Sequence, residues 1–296
     1  MPELPEVEIV RRGLEPVITG QRIAAVEQRR ADLRFPFPEN FAARLTGRLI
    51  TAITRRAKYL LIALDGGDTL VIHLGMSGRL SVAHPNKTAA SLTFGDYAYD
   101  TGCLPAHDHA VLTLSSAAVL TYNDPRRFGF MLLIPSSELA SHPLFVHLGV
   151  EPLGNTFDAA YLAHIAQGKR TALKAFLLDQ RIIAGLGNIY VSEALHRAAI
   201  SPRRSAHTLA KNDGSPAGRA LRLVPEIRKV LLSAIAAGGS SLKDYRHTDG
   251  TKGAFQTAFT VYGREGGRCF RPGCSGIIRR TLQNQRATFF CPKCQR

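Results

Sequence analysis

The sequence predicts an α+β chain of several domains: a helix followed by an antiparallel β-sandwich, then a helical segment, then a metal-bound β-hairpin at the C-terminus. Three observations carry this. Short alternating apolar runs fill residues 22–134, the apolar period lengthens to that of a helix beyond about residue 135, and four of the five cysteines lie in the last 28 residues.

In chain order, Val7, Val10, Leu14 and Val17 recur at helical spacing, with Pro5 in the first turn and glutamates at the positive end of the dipole. The runs RIAAVEQ, LITAITR, KYLLIALD, TLVIHLG, AVLTLSS, AVLTYND and FGFMLLI then read as strands. Leu60, Ile62 and Leu64 alternate clearly, and Asp65-Gly66-Gly67-Asp68 supplies a hairpin turn. Their spacing favours an antiparallel sandwich. FDAAYLAHIAQ, TALKAFLLDQ, IYVSEALHRAAI and AGRALRLVPEIRKVLLSAIAAGG carry helical periodicity. Pro225 kinks the last or marks a boundary, and Gly238-Gly239 ends it. The polar segment from Ser240 to Gly253 reads as a long loop, and TAFTVYG after it as a strand.

A chain of 296 residues holds about two domains. Its 45% hydrophobic and 21% charged content excludes a mostly disordered chain. No apolar run approaches the roughly 20 residues of a membrane span. The start, MPELPEVEIVRRG, lacks the pattern of an export signal, so the expected compartment is the cytoplasm. The net charge is +15, and residues 135–296 carry most of it: 23 basic against 10 acidic side chains, compared with 15 against 13 in residues 1–134. Such a basic half points to a polyanion, with nucleic acid favoured.

Cys269, Cys274, Cys291 and Cys294 form C-x4-C and C-x2-C pairs sixteen residues apart, suited to one tetrahedral Zn2+. Two disulfides would be the alternative, a weak one where thiols stay reduced. Cys103 stands apart. IIRRTLQNQRATFF between the pairs reads as a hairpin turning at Gln283-Asn284-Gln285, so the module is a zinc ribbon.

Removal of Met1 would expose Pro2 as a secondary amine. An α-amino group titrates near 7.7–8.0, about two units or more below lysine, so part of it is nucleophilic at neutral pH. Attack on a sugar C1′ would give a cationic iminium, with Glu3 the adjacent acid or base. While Met1 is attached, the Pro2 nitrogen is an amide and cannot react.

PELPEVE with Arg11-Arg12-Gly13, RRAKYLL, HLGMSG, NDPRRFG, GLGNIY, SLKDY and QRATFFCPKCQR occur in order along the whole chain. Together they resemble the formamidopyrimidine-DNA glycosylases, bacterial repair enzymes that excise oxidised purines such as 8-oxoguanine and then cut the abasic strand. The resemblance implies an N-terminal helix plus β-sandwich, a helix–two-turn–helix domain and a zinc finger. It implies that Pro2 is the Schiff-base nucleophile and Glu3 the proton donor. Lys58, which by itself would be an exposed lysine opening a strand, is then tied to β-elimination and phosphate contact. Arg286 is tied to δ-elimination and the lesion phosphate. Met76, Arg126 and Phe128 fill the void left by the extruded nucleotide; an isolated Met or Phe would instead be placed in the sandwich core beside a type I turn at Asp124-Pro125. Asn188, otherwise a plain helix cap, meets phosphate, and His107, Lys169 and Lys174 match DNA-contacting positions. His73 is a weaker candidate, about as readily a satisfied strand histidine. The C-x4-C pair departs from the family's commoner C-x2-C.

The expected domains are 1–134 (catalytic), 135–150 (linker), 151–262 (helix–two-turn–helix, with a lesion loop at 240–253) and 263–296 (zinc finger). The expected protein is a monomer acting on damaged double-stranded DNA, with one structural Zn2+ and no organic cofactor. Two rivals are an endonuclease VIII-like glycosylase for oxidised pyrimidines and a non-catalytic DNA-binding zinc protein on the same scaffold.

Overall fold

The computed structural model describes residues 2–83, 104–240 and 255–296, and the backbone of 92–94. Met1, Cys103 and the lesion loop beyond Ser240 lie outside the described residues. The chain divides into two units, residues 1–146 with 235–256, and residues 147–234 with 257–296.

In the first unit α1 (Leu4–Ile18) is followed by β1 (Ile23–Gln28), the short α2 (Phe41–Leu45), β2 (Ile50–Arg56), β3 (Tyr59–Leu64), β4 (Asp68–His73), β5 (Arg79–Ala83), β6 (Leu92–Phe94), β7 (Asp108–Leu114), β8 (Val119–Asn123) and β9 (Phe130–Pro135). They form a five-stranded sheet, β1-β7-β8-β5-β6, and a four-stranded sheet, β2-β3-β4-β9. Every pairing is antiparallel. Leu60, Ile62 and Leu64 are buried, as their alternation requires, and join one core with Leu70, Ile72, Leu80, Leu112 and Leu120. Val7, Val10, Leu14 and Ile18 of α1 enter the same core. Ile18, not Val17, completes the buried stripe of α1, and Val17 packs at its edge. Burial of each such aliphatic side chain is worth about 1.5–3 kcal/mol, so the core fixes α1 and thereby the N-terminus.

The second unit contains α3 (Ala159–Ala166), α4 (Leu173–Leu178), α5 (Asn188–Arg197) and most of α6 (Gly218–Ala236), then the hairpin of β10 (Arg279–Gln283) and β11 (Arg286–Phe290). α6 is continuous through Pro225, which therefore marks no boundary. Its ring sits on the exposed side of the helix, while Leu223, Ile227, Val230, Leu231 and Ala234 are buried. The packed stripe offsets the roughly 3 kcal/mol that an interior proline costs. TAFTVYG is not a strand either. Phe255–Ala258 is a 3-10 turn, and the N–H groups of Thr260, Val261 and Tyr262 are taken by the Glu193 carboxylate, leaving no ladder to form.

The turn between β10 and β11 has two residues, Asn284 and Gln285, both at positive φ (47° and 60°). That conformation matches the twist of a two-residue hairpin and places Arg286 at the first position of β11. No helix among the described residues is long and apolar enough to cross a membrane.

Candidate active site and metal centre

Pro2 and Glu3 are buried at the start of α1. Glu3 is the N-cap, and Glu6, three residues on, closes a reciprocal capping box with it. The Glu3 N–H donates to Glu6 Oε2 at 2.9 Å. The other oxygen of Glu6, Oε1, accepts from the Ser240 N–H and hydroxyl, each at 2.9 Å. Glu6 is 1% exposed, so these donors satisfy a group that would otherwise be costly to bury. Gly239 makes the approach possible: it sits at φ +87°, and a Cβ there would press on Ile9 and Glu6. One carboxylate thus holds both the residue after Pro2 and the chain at Ser240.

Lys58 is the second residue of the tight turn joining β2 and β3, after Ala57 at φ 52°. It is 9% exposed, unlike the free surface lysine that its sequence position alone suggests. Arg55 ties this turn to α1, donating to the Ala57 carbonyl at 2.9 Å and to Glu8 Oε2 at 3.2 Å. Burial opposes ionisation of Glu8, but hydrogen bonds from Arg11 and Arg12 with the charges of Arg11 and Arg55 outweigh it and hold the carboxyl below its ordinary range. The turn carrying Lys58 is therefore tied to the helix that follows Pro2.

His73 ends β4, stacked on Phe130 at 5.3 Å, and its Nδ1 accepts the Gly75 N–H at 3.1 Å. That bond leaves the ring proton on Nε2. Burial, then the charges of Lys58 and Arg34, push its pKa down to about 4. At neutral pH His73 can offer phosphate an N–H but no charge. The ring carbons should titrate near pH 4 by NMR, and a midpoint near 6.5 would contradict the site's electrostatics. Because the unfolded chain protonates this histidine near 6.5 and the folded chain only near 4, its contribution to stability falls as pH drops through that window.

Met76 and Phe128 are 38% and 46% exposed, which removes them from the core and suits a wedge. The Arg126 guanidinium lies over the Phe128 ring at 4.8 Å. Asp124, fully buried, organises both loops: its carboxylate accepts from Ser77 Oγ, from the Arg126 N–H and from the Gly129 N–H. Gly75 lets the turns meet, since a Cβ there would strike the backbone of Phe128 and Gly129. His107 is half-buried at the end of a 3-10 turn, its carbonyl accepting the Asp124 N–H.

In the second unit Arg286 is exposed and faces a cleft shared with Lys174, Leu178, Asp179 and Gln283. Asn188 is the first residue of α5, with Gly187 as the cap, so the side chain is released from capping. Its Nδ2 donates to the Ala287 carbonyl at 3.1 Å, and Oδ1 is buried without a partner. Lys169 is exposed in the turn after α3. Lys174 has a different setting from the DNA contact that the resemblance implies. It is 1% exposed, and Nζ donates to the Ala287 carbonyl (2.8 Å) and Thr288 Oγ1 (2.7 Å), bracing the strand that starts at Arg286.

The four finger cysteines converge. All four Sγ atoms lie within 4.8 Å of one another, with Cys269–Cys294 at 3.8 Å and Cys274–Cys291 at 3.7 Å. A tetrahedron with Zn–S bonds of about 2.3 Å has edges of about 3.8 Å, so the cage fits Zn2+. Burial and the neighbouring Cys291 and Cys269 push the Cys294 thiol up, a cost that a bound cation relieves. Despite its extra residues, the C-x4-C knuckle completes the cage, and Arg271 within it donates to the His196 and Arg197 carbonyls at the end of α5. With four protein ligands and no open position, the metal is structural. Metal analysis should give about one zinc per chain, and its removal should abolish strand cleavage. A zinc-free protein that cuts normally would show the finger to be dispensable.

Glu6, Asp124 and Glu193 escaped the sequence reading. Glu3-x-x-Glu6 carried a usable signal, the capping-box spacing, and Asp124-Pro125 marked a turn. Nothing in the sequence pointed from Glu193 to Thr260.

Residues 1–131 match the formamidopyrimidine-DNA glycosylase N-terminal domain, and residues 148–246 the formamidopyrimidine-DNA glycosylase H2TH domain. The chain is 57% identical over 296 residues to a formamidopyrimidine-DNA glycosylase of Beijerinckia indica and 56% over 300 residues to one of Chelativorans sp., with 100% of both chains covered in each case. A crystal structure of MutM (Fpg) from Thermus thermophilus is 38% identical with a TM-score of 0.79, covering 99% of this chain and 98% of that one. The Lactococcus lactis Fpg complexed with abasic-site DNA is 32% identical with a TM-score of 0.82, covering 99% of both chains. Helix, sandwich, H2TH helices and thiolate cage agree with these likenesses, and the chain belongs to the formamidopyrimidine-DNA glycosylase family.

Proposed function

We propose that the chain is a base-excision repair enzyme that removes oxidised purines from duplex DNA through the Pro2 amine and then cleaves the abasic strand. The observation that carries this is the setting of the N-terminus. Chain ends are ordinarily loose, whereas Pro2 is buried and its neighbour Glu3 is held by a fully satisfied Glu6. The capping box accounts for Glu3 as a helix start, but it does not require the burial of Pro2 ahead of it.

After Met1 is removed, the Pro2 nitrogen attacks C1′ and the bond from C1′ to the base breaks. Glu3 donates a proton during base release and ring opening, leaving an iminium. The iminium acidifies the C2′ proton; its loss expels the 3′ phosphate, and a second elimination expels the 5′ phosphate. Lys58 assists the first elimination and contacts phosphate, and Arg286 serves the second and grips the lesion phosphate. Met76, Arg126 and Phe128 occupy the vacated stack. His73, His107, Lys169 and Asn188 hold the backbone, and Lys174 acts by bracing the finger strand. The zinc serves by fixing the hairpin that presents Arg286. This protein works as a cytoplasmic monomer.

Borohydride trapping of the mature protein on duplexes carrying 8-oxoguanine or an oxidised pyrimidine tests the reading. An adduct formed preferentially with 8-oxoguanine is expected. Preference for the pyrimidine would move the assignment to an endonuclease VIII-like enzyme, and no adduct with either would leave only a DNA-binding protein.

A further inference from the structure

The second unit carries a basic groove that none of the residues above uses. Its walls are the loop from Ser201 to Thr208 and the end of the finger, which contribute Arg203, Arg204, His207 and Arg296 with the Ser201 and Ser205 hydroxyls. No aspartate or glutamate side chain lines it. The walls are tied together: Ser201 N–H donates to the Arg296 carbonyl at 3.3 Å, and Gln295 Nε2 to the Ile200 carbonyl at 2.9 Å. The groove is thus preformed.

No side-chain carboxylate offsets its positive charge, and the one acid at the groove is the α-carboxylate of Arg296, the last residue. Among the described residues, Arg203, Arg204 and Arg296 form no ion pair with a carboxylate, and neither do Arg219 and Arg222 of α6. Arg204 Nε is buried without an acceptor. Burial, then the nearby Arg204 and Arg222, hold the Arg219 guanidinium below its ordinary value. Clustering these like charges costs self-repulsion. A phosphodiester would offset it, because its oxygens accept paired N–H donors from guanidinium groups and single bonds from serine.

We propose that this groove is a second phosphate site, holding the backbone of DNA that lies outside the lesion phosphates. Asn188 opens α5, whereas the groove is walled by the loop that follows the helix, from Ser201 onward, so the two sets of residues are distinct. The proposal rests on the DNA-binding reading above, since a surface already committed to DNA makes a further stretch of backbone the natural occupant.

The test is equilibrium binding of the full chain to an undamaged duplex across a salt series. Arg203→Ala/Arg296→Ala, both exposed positions, is compared with Arg203→Lys/Arg296→Lys. Each phosphate contact contributes roughly 0.9 to the slope of log K against log salt. The alanine pair should lower the slope by about 1 to 2, the lysine pair should largely keep it, and both should trap normally on a short lesion duplex. An unchanged slope in the alanine pair overturns the proposal. So does an equal loss in both pairs, which would mean damaged packing rather than lost charge. A second arm titrates inorganic tripolyphosphate. Binding to the parent chain but not to the alanine pair, with an unchanged DNA slope, would make the groove a free-polyphosphate site and overturn its assignment to DNA. Failure of trapping in the parent chain would instead strike the catalytic reading, leaving the salt slope to judge the groove.

Discussion

A chain that cannot shed Met1, for example with a lysine inserted between Met1 and Pro2, should lose Schiff-base formation on damaged duplex by on the order of 10³-fold or more. Nucleophilicity at Pro2 depends on a free amine lone pair, and acylation of that nitrogen delocalises it into a peptide bond. The defect should be chemical. Pro2 precedes α1, whose fold rests on Val7, Val10, Leu14 and Ile18 in the sandwich core, so stability and binding to undamaged DNA should stay close to those of the mature protein. Pro2→Gly, which keeps a terminal amine but makes it primary, should trap more slowly without abolishing the adduct. Gel separation of the borohydride-reduced complex measures both, and full trapping by the extended chain would place the nucleophile elsewhere.

Glu193→Ala should cost about 3–5 kcal/mol of stability in the second unit. Glu193 is fully buried, and its two oxygens accept the N–H groups of Thr260 (2.8 Å), Val261 (3.0 Å) and Tyr262 (2.8 Å) and the Thr260 hydroxyl (2.6 Å). Truncation strands three backbone donors at once, and each unmade bond costs about 1–3 kcal/mol. The damage should spread to Asn188 and the finger hairpin. Tyr262 receives the Asn188 amide at 3.4 Å and packs edge-on against Phe289 at 5.0 Å, so this segment links α5 to the finger hairpin. Denaturant unfolding should show the loss in Glu193→Ala and a smaller one in Glu193→Gln. A change below about 1 kcal/mol in the alanine variant would mean that the donors find other acceptors.

Which parts of this fold could be read in advance follows from the range of the forces involved. β3 was legible because Leu60, Ile62 and Leu64 alternate within one strand, and the zinc cage because C-x4-C and C-x2-C pairs suit one tetrahedral metal. β5 was missed because only Leu80 and Val82 mark its buried face. The run from Thr257 to Gly263 alternates like a strand, yet its donors go to a carboxylate 67 residues earlier in the chain. Pro225 misled because its cost was visible in the sequence and the buried face opposite it was not. The same limit governs the site. The cysteines declare a metal site by residue type and spacing, whereas Pro2 and Glu3, which a plain helix start would also explain, stand out only through the family resemblance. Glu6 acts through Ser240, 234 residues away, and Lys174 through Thr288, 114 residues away, pairings that only the folded chain creates.

The central claim is that the buried N-terminal amine is the nucleophile, with Lys58 in support. Mass spectrometry of peptides from the borohydride-reduced complex tests it most directly. The account predicts the sugar remnant on the Pro2 nitrogen of a chain lacking Met1. A remnant on Lys58, or on Pro2-intact chains that still carry Met1, would contradict it.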